Sequence, residues 1–283
     1  MKWSIYFLSL ILLLSGCSSQ KSVSSSESII LKDVAYGTDA RNIMDVKLPA
    51  NRNKETPFVL LIHGGAWTIA NKENVQDFMD TLYTNGISVA SINHRYANHE
   101  NVHYKEMLAD VDAALNYCIS QADNWNVRKN DFVMSGVSSG AHLAMLYSYT
   151  TDKKINAITE FCGPVDFTSK EMMGFVEKAG LKEVLVKMTG KDYDINKDID
   201  PEFFSASPVR FVKPIPILIV HGTDDKVVPF IQAQILVKAL EDKKVKNKFI
   251  PIQGAGHDLN LKDSSIRKLV YSEVVKWVKQ YGQ

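Results

Sequence analysis

The chain has 283 residues, 45% of them hydrophobic, and carries 33 Lys and Arg against 32 Asp and Glu for a net charge of +1. That apolar content is enough for the core of one large globular domain. The balanced charge argues against a nucleic-acid partner, which would need a basic surface, and no internal repeat divides the chain.

Read from its start, the chain opens with Met1-Lys2 and an almost wholly apolar run over 5–14. That run is too short to span a bilayer and has the length of a signal-peptide core. It ends in Leu14-Ser15-Gly16-Cys17, which resembles the lipobox of bacterial lipoproteins. The resemblance implies cleavage before Cys17, a diacylglycerol on its thiol, and an exported protein lipid-anchored to the bacterial cell envelope. Several acyl chains on one residue anchor stably where one alone is marginal. The Ser-rich run over 18–28 has almost no apolar residue and reads as a flexible tether. The expected organisation is therefore a signal peptide over 1–16, the lipidated Cys17 and tether over 17–28, and one folded domain over 29–283.

Within that domain, 30–31 and 44–48 read as opening strands, with a turn at Gly37-Thr38-Asp39 between them. The run 58–62 is continuously apolar, as a strand buried on both faces of a parallel sheet must be. A helix is expected over 75–83, stopped by Gly86, and a strand over 87–92. Met107, Val111, Leu115 and Ile119 recur at every fourth position, which makes one face of a helix over 104–119. A strand over 132–135 leads into a helix over 139–149, and another strand covers 155–161. From 167 to 208 regularity lapses into short helical pieces and polar loops, a short lid insertion whose Met172, Met173, Phe175, Leu185 and Met188 are expected to be mostly core. A strand at 217–220, a helix at 231–240, a strand at 248–252 and an amphipathic helix at 266–278 complete the chain. Strands and helices alternate throughout, so the class is α/β with a mainly parallel central sheet and helices on both faces. Cys118 falls in a helical pattern and Cys162 ends an apolar strand. That favours two separate buried thiols over the single disulfide an exported chain could also form.

Four segments carry the chemistry. Gly136-Val137-Ser138-Ser139-Gly140 follows the 132–135 strand directly. A buried strand followed by G-x-S-x-G reads as the sharp strand-to-helix turn that holds a serine clear of the sheet, the nucleophile elbow of the α/β-hydrolases. Alone the pattern is weak, but three further segments arrive in the right order. A serine needs a base within hydrogen-bond reach and an acid to orient that base. In α/β-hydrolases these follow the serine in the order acid, then histidine. His221-Gly222-Thr223-Asp224-Asp225-Lys226-Val227-Val228-Pro229 begins at the end of the 217–220 strand and resembles the H-G-x-x-D-x-x-V-P pattern of esterases and related peptidases. Matched position by position, the acid is Asp225, with Asp224 its rival. The base is expected in a loop after the final strand, where Gly254-Ala255-Gly256-His257-Asp258 stands.

The fourth segment, His63-Gly64-Gly65-Ala66-Trp67, follows the 58–62 strand and resembles the H-G-G-x-W motif of kynurenine formamidases and related esterases. By that resemblance the amides of Gly65 and Ala66, with that of Ser139, form an oxyanion hole, and His63 braces the loop. Ser138-Ser139-Gly140-Ala141-His142-Leu143-Ala144, Val34-Ala35-Tyr36-Gly37 and Asn93-His94-Arg95-Tyr96 are similar to segments of the xylanase-associated carbohydrate esterase and hormone-sensitive-lipase-like groups. Ser139 stands where many of those relatives have Ala, which is tolerable because only its amide is required. Arg95 and Tyr96 are read as structural and His142 as a helix residue near the site. The resemblance implies an α/β-hydrolase that cleaves carboxylic esters through an acyl-enzyme on Ser138, with neither a metal nor an organic cofactor. The substrate classes it leaves are a short-chain or carbohydrate-linked ester, such as acetyl or feruloyl groups on polysaccharide, or an aryl formamide. A hydrolase-fold lipoprotein that only binds ligand is the non-catalytic alternative.

Overall fold

The computed structural model describes residues 26–283, so Cys17, the lipobox and nearly all of the tether lie outside the described residues. An eight-stranded sheet carries the strand order β1-β2-β4-β3-β5-β6-β7-β8. The strands are β1 (Ile29–Ala35), β2 (Ile43–Leu48), β3 (Phe58–Ile62), β4 (Ser88–Ile92), β5 (Phe132–Val137), β6 (Ile155–Phe161), β7 (Ile217–Gly222) and β8 (Asn247–Ile252). Only β2 runs against its neighbours: β1 pairs β2 and β2 pairs β4 antiparallel, and every later pairing is parallel. This is the expected α/β-hydrolase architecture. Parallel neighbours need crossover connections, and the helices that supply them include α1 (Gln76–Thr84), α2 (Tyr104–Ser120), α3 (Ala122–Trp125), α4 (Ser139–Thr150) and α8 (Ile231–Asp242), while α9 (Ser264–Tyr281) follows the last strand. Between β6 and β7 lie the shorter α5 (Lys170–Lys178), α6 (Lys182–Thr189) and α7 (Pro201–Ser205).

The core follows from the two-residue period of a strand. Phe58, Leu60 and Ile62 of β3 enter one apolar cluster together with α2, α4, α8 and the β6–β7 insertion. Val59 and Leu61 enter a second cluster with α1 and α9. Both faces are thus covered, which is why β3 is apolar without interruption. On α2, Met107, Val111 and Leu115 are fully buried as their spacing predicts, and Ile119 is half-buried at the end of the stripe. Helix α4 is buried from Ser139 to Tyr149 all the way round, because the sheet lies beneath it and other helices lie above. Cys118 and Cys162 are both free and buried. Of the insertion's apolar residues, Met173 and Met188 are fully buried. No helix among the described residues is long and apolar enough to cross a membrane.

The start of α4 allows no side chain at Gly140. A Cβ there would overlap the carbonyl oxygens of Ile62 and His63 at the end of β3. Gly174, inside α5, has open space in the same direction. One substitution should therefore have opposite signs at the two sites. Gly140→Ala is expected to destabilise by about 1–3 kcal/mol through overpacking, and Gly174→Ala to stabilise by about 0.5–1 kcal/mol through helix propensity. Thermal unfolding of the two variants checks this; a Gly140→Ala protein as stable as the parent would refute the close approach.

Candidate active site

In an open parallel sheet, the loops at the carboxyl ends of the strands converge. Here the ends of β3, β5, β7 and β8 deliver the four segments singled out above. Ser138, between β5 and α4, has φ 54° and ψ −121°, a conformation that costs a residue with a side chain about 1–3 kcal/mol. Its amide donates to the Phe161 carbonyl (2.7 Å) and its carbonyl accepts from His142 N (3.1 Å), which holds the strained turn from both sides.

The serine hydroxyl lies 2.9 Å from His257 Nε2, and His257 Nδ1 lies 2.7 Å from Asp225 Oδ2. The Asp225 carboxylate can only accept, so Nδ1 carries the imidazole proton and Nε2 is free to accept from the serine. The other carboxylate oxygen accepts from the amides of Val227 (2.8 Å) and Val228 (2.9 Å). Burial pushes the Asp225 carboxyl up, but the His257 bond and charge and the two amides outweigh it, leaving the group below its ordinary value. Asp224, its rival in the sequence, is exposed and turns its amide to the Ala255 carbonyl (2.9 Å). That bond belongs to a lacing between the β7 and β8 loops: Thr223 N donates to the Ile252 carbonyl (3.1 Å) and Gly254 N to Thr223 Oγ1 (2.9 Å). Asp225 and His257, 32 residues apart, are thereby held to each other by bonds that do not involve the serine.

Gly65 (φ 116°), Ala66 (φ 48°) and Trp67 (φ 59°) all hold positive φ in the loop after β3. This left-handed turn leaves the amides of Gly65 and Ala66 without a hydrogen-bond acceptor among the described residues. Ser139 opens α4, so its amide is one of the unpaired donors of a helix N-terminus, where the helix dipole favours negative charge. Ala66, Ser138 and Ser139 together line one cavity.

Around this loop sit three buried histidines. His63 Nδ1 bonds the Gly64 carbonyl (2.5 Å), and its ring stacks on His94 with centroids 4.7 Å apart. Burial, and then repulsion from His94, lowers the His63 pKa to about 3, while burial lowers that of His94 to about 4. Both rings are neutral at neutral pH and brace the loop. The rest of the brace matches the structural reading of Arg95 and Tyr96. Arg95 bonds Asp110 (Nε to Oδ2, 3.0 Å), and the Tyr96 hydroxyl donates to the Ala70 carbonyl.

His142 does more than its place on a helix suggested. Its Nδ1 accepts from Trp67 Nε1 (3.1 Å), and its Nε2 donates to the Ala206 carbonyl (2.7 Å). Burial lowers its pKa to about 4, so this neutral tautomer persists. It ties the loop bearing Ala66 to the β6–β7 insertion across 64 residues of sequence. A two-residue wall of Cys162 and His221 behind Asp225 also escapes a reading by motifs. Cys162, His221 and Asp225 place ligand-type atoms within 4.8 Å of one another, all three buried. His221 Nε2 is already bonded to the Val228 carbonyl (2.9 Å), and burial pushes the Cys162 thiol up, so the wall serves as hydrogen-bonded packing for the acid loop.

The cavity at Ser138 has a volume of about 60 Å3 and is otherwise apolar, walled by Trp67, Phe167, Met172, Val176, Leu181 and Leu185. Helices α5 and α6, with the turn between them, supply four of these six residues. It is small beside the roughly 300–1,000 Å3 common for small-molecule sites.

Comparison with known proteins agrees with this architecture. A family model described as BD-FAE matches residues 44–240. Esterase LipC of Mycobacterium tuberculosis is 27% identical over 255 residues, which cover 82% of this chain and 60% of that protein. The probable isoprenylcysteine alpha-carbonyl methylesterase ICME of Oryza sativa subsp. japonica is 25% identical, covering 83% of this chain and 59% of its own length. The chain thus spans about 60% of the length of these curated relatives. Among solved structures, a truncated carbohydrate esterase from gut microbiota superimposes with a TM-score of 0.75 at 23% identity, over 91% of this chain and 98% of that one. Esterase B from Lactobacillus rhamnosis does so with a TM-score of 0.68 at 16% identity, over 91% and 89%.

Proposed function

The chain belongs to the BD-FAE family, and on that premise we propose that it is a serine carboxylesterase acting on short-chain or carbohydrate-linked esters. The observation that carries this reading is the unbroken Ser138–His257–Asp225 hydrogen-bond chain opening into a small apolar cavity. Ser138 Oγ attacks the ester carbonyl while His257 Nε2 takes its proton. Asp225 holds the imidazole in the required tautomer and stabilises it when charged. The developing oxyanion is received by the amides of Gly65, Ala66 and Ser139, donors that are unpaired in advance and need no reorganisation. His257 then protonates the departing alkoxide, and water, activated by the same histidine, releases the acid from the acyl-enzyme.

The volume of the cavity favours the short-chain reading over the feruloyl one. A cavity this small and apolar suits an acetyl or propionyl group better than a substituted aromatic acyl group. Along nitrophenyl esters from acetyl to dodecanoyl, kcat/KM is expected to peak at the two- or three-carbon acyl group. It should fall by about tenfold or more by octanoyl, since a chain too long for the pocket must push its walls apart, and such overpacking costs about 1–3 kcal/mol. Activity that rises with chain length would overturn the short-chain assignment. Inactivity on every ester, with turnover of an aryl formamide, would move the assignment to aryl formamidase.

A further inference from the structure

A second cavity, of about 460 Å3, lies under the His257 loop between α1 and α9. It touches His257 but neither Ser138 nor Ser139, and its volume falls within the range of about 300–1,000 Å3 common for small-molecule sites. Its chemistry is unlike that of the apolar pocket. Asp77 comes from α1, Arg267 and Tyr271 from α9, and Asp258 and Lys262 from the segment before α9. Among the described residues Arg267 forms one side-chain hydrogen bond, Nη1 to the Leu261 carbonyl (3.1 Å), and no ion pair. The Asp77 carboxylate and the Tyr271 hydroxyl have no hydrogen-bond partner among those residues. Donors and acceptors therefore face the cavity unused.

An esterase must hold the two halves of its substrate apart. The acyl carbon bonds to Ser138 Oγ and its oxygen meets the oxyanion amides, so the acyl chain belongs in the cavity that touches both. When the acyl C–O bond breaks, the alkoxide takes the proton that His257 Nε2 received from Ser138. The alcohol half therefore leaves on the side of His257. We propose that the 460 Å3 cavity is the alcohol subsite and that Arg267, Asp77 and Tyr271 select a polyhydroxylated alcohol there. A hydroxyl both donates and accepts, and this wall offers donors in Arg267, Lys262 and Tyr271 and acceptors in Asp77 and Asp258. An anionic alcohol would meet the three carboxylates of Glu73, Asp77 and Asp258, and a cationic one the two basic groups. An alkyl alcohol would strip water from these polar groups and return no hydrogen bond. The inference rests on the esterase reading of Ser138 and extends it to the leaving group.

The test compares two acetates of similar shape, 6-O-acetylglucose and cyclohexylmethyl acetate. The parent is expected to favour the sugar ester at least tenfold in kcat/KM. Arg267→Ala should lower that preference about tenfold, through KM. Asp77→Asn, at an exposed position, should lower it in the same direction and serves where Arg267→Ala unfolds. Equal parent rates on the two acetates, or variants that slow both equally, overturn the subsite. If the parent turns over neither acetate, the esterase reading fails, and calorimetry on Ser138→Ala decides the subsite separately. Saturable binding of 6-O-acetylglucose but not of cyclohexylmethyl acetate, weakened about tenfold by adding Arg267→Ala, sustains it. Absent or equal binding of the two overturns it.

Discussion

Ser138→Ala is expected to lower kcat on nitrophenyl acetate by about 10^5–10^6-fold, the range seen when the nucleophile of a serine hydrolase is removed, with no loss of folded structure. Among the described residues the hydroxyl makes a single side-chain hydrogen bond, to His257, and the bonds that hold the elbow come from the backbone of residue 138. Alanine keeps those backbone bonds and the same strained φ, so thermal unfolding should be nearly that of the parent. What remains is the slow attack of water within a site that still binds the ester and still presents its oxyanion amides. A variant retaining more than a hundredth of the parent rate would show that hydrolysis proceeds without Ser138, and the acyl-enzyme mechanism would have to be abandoned.

The second large effect separates two adjacent carboxylates. Asp225→Asn should cost about 10^4-fold in kcat, whereas Asp224→Asn should stay within a few-fold of the parent. The introduced side-chain amide fits the space of the carboxylate and can still accept from Val227 and Val228 through its oxygen. The group then facing His257 Nδ1 is an NH2 that donates. The imidazole must turn its proton to Nε2, where it can no longer accept from Ser138. Asp224 is exposed, and the bond that laces the loops uses its backbone, which asparagine leaves in place. The Asp225 carboxyl is held below its ordinary value. The stabilisation from its pairing is therefore fully present above the unfolded value and is lost only as pH falls through the lowered folded one. Equal losses in the two variants would overturn the assignment of the acid.

Much of the fold was legible in the sequence because its signals are local. An uninterrupted apolar run such as 58–62 has one use in an α/β chain, a strand covered on both sides, and β3 is that strand. The edges were less legible. The apolar pattern shows the first strand only at 30–31, but β1 runs from Ile29 to Ala35: the polar Lys32 and Asp33 fall at an irregularity in its pairing with β2, and Leu31 and Val34 pair on either side of it. The four-residue α3 has too few turns to show a periodicity.

The elbow at Ser138 is likewise local. Gly136 must lie close to the backbone of Gly140 and Ala141, so the motif is written contiguously. The sequence by itself therefore determined the fold class, the order of the main strands and helices, and the segments bearing Ser138, Asp225 and His257 that the fold brings together. The sequence pattern already favoured Asp225 over Asp224; tertiary structure alone decided that the Asp225 carboxylate faces His257, since that depends on loops laced together after β7 and β8. It also decided that His142 joins Trp67 to Ala206, that Cys162 and His221 wall the acid, and that the two cavities differ in size and polarity. These are properties of surfaces that meet only on folding. Ser138 and His257 stand 119 residues apart. The walls of the larger cavity come from helices near opposite ends of the domain. No periodicity within one segment encodes how another will pack against it.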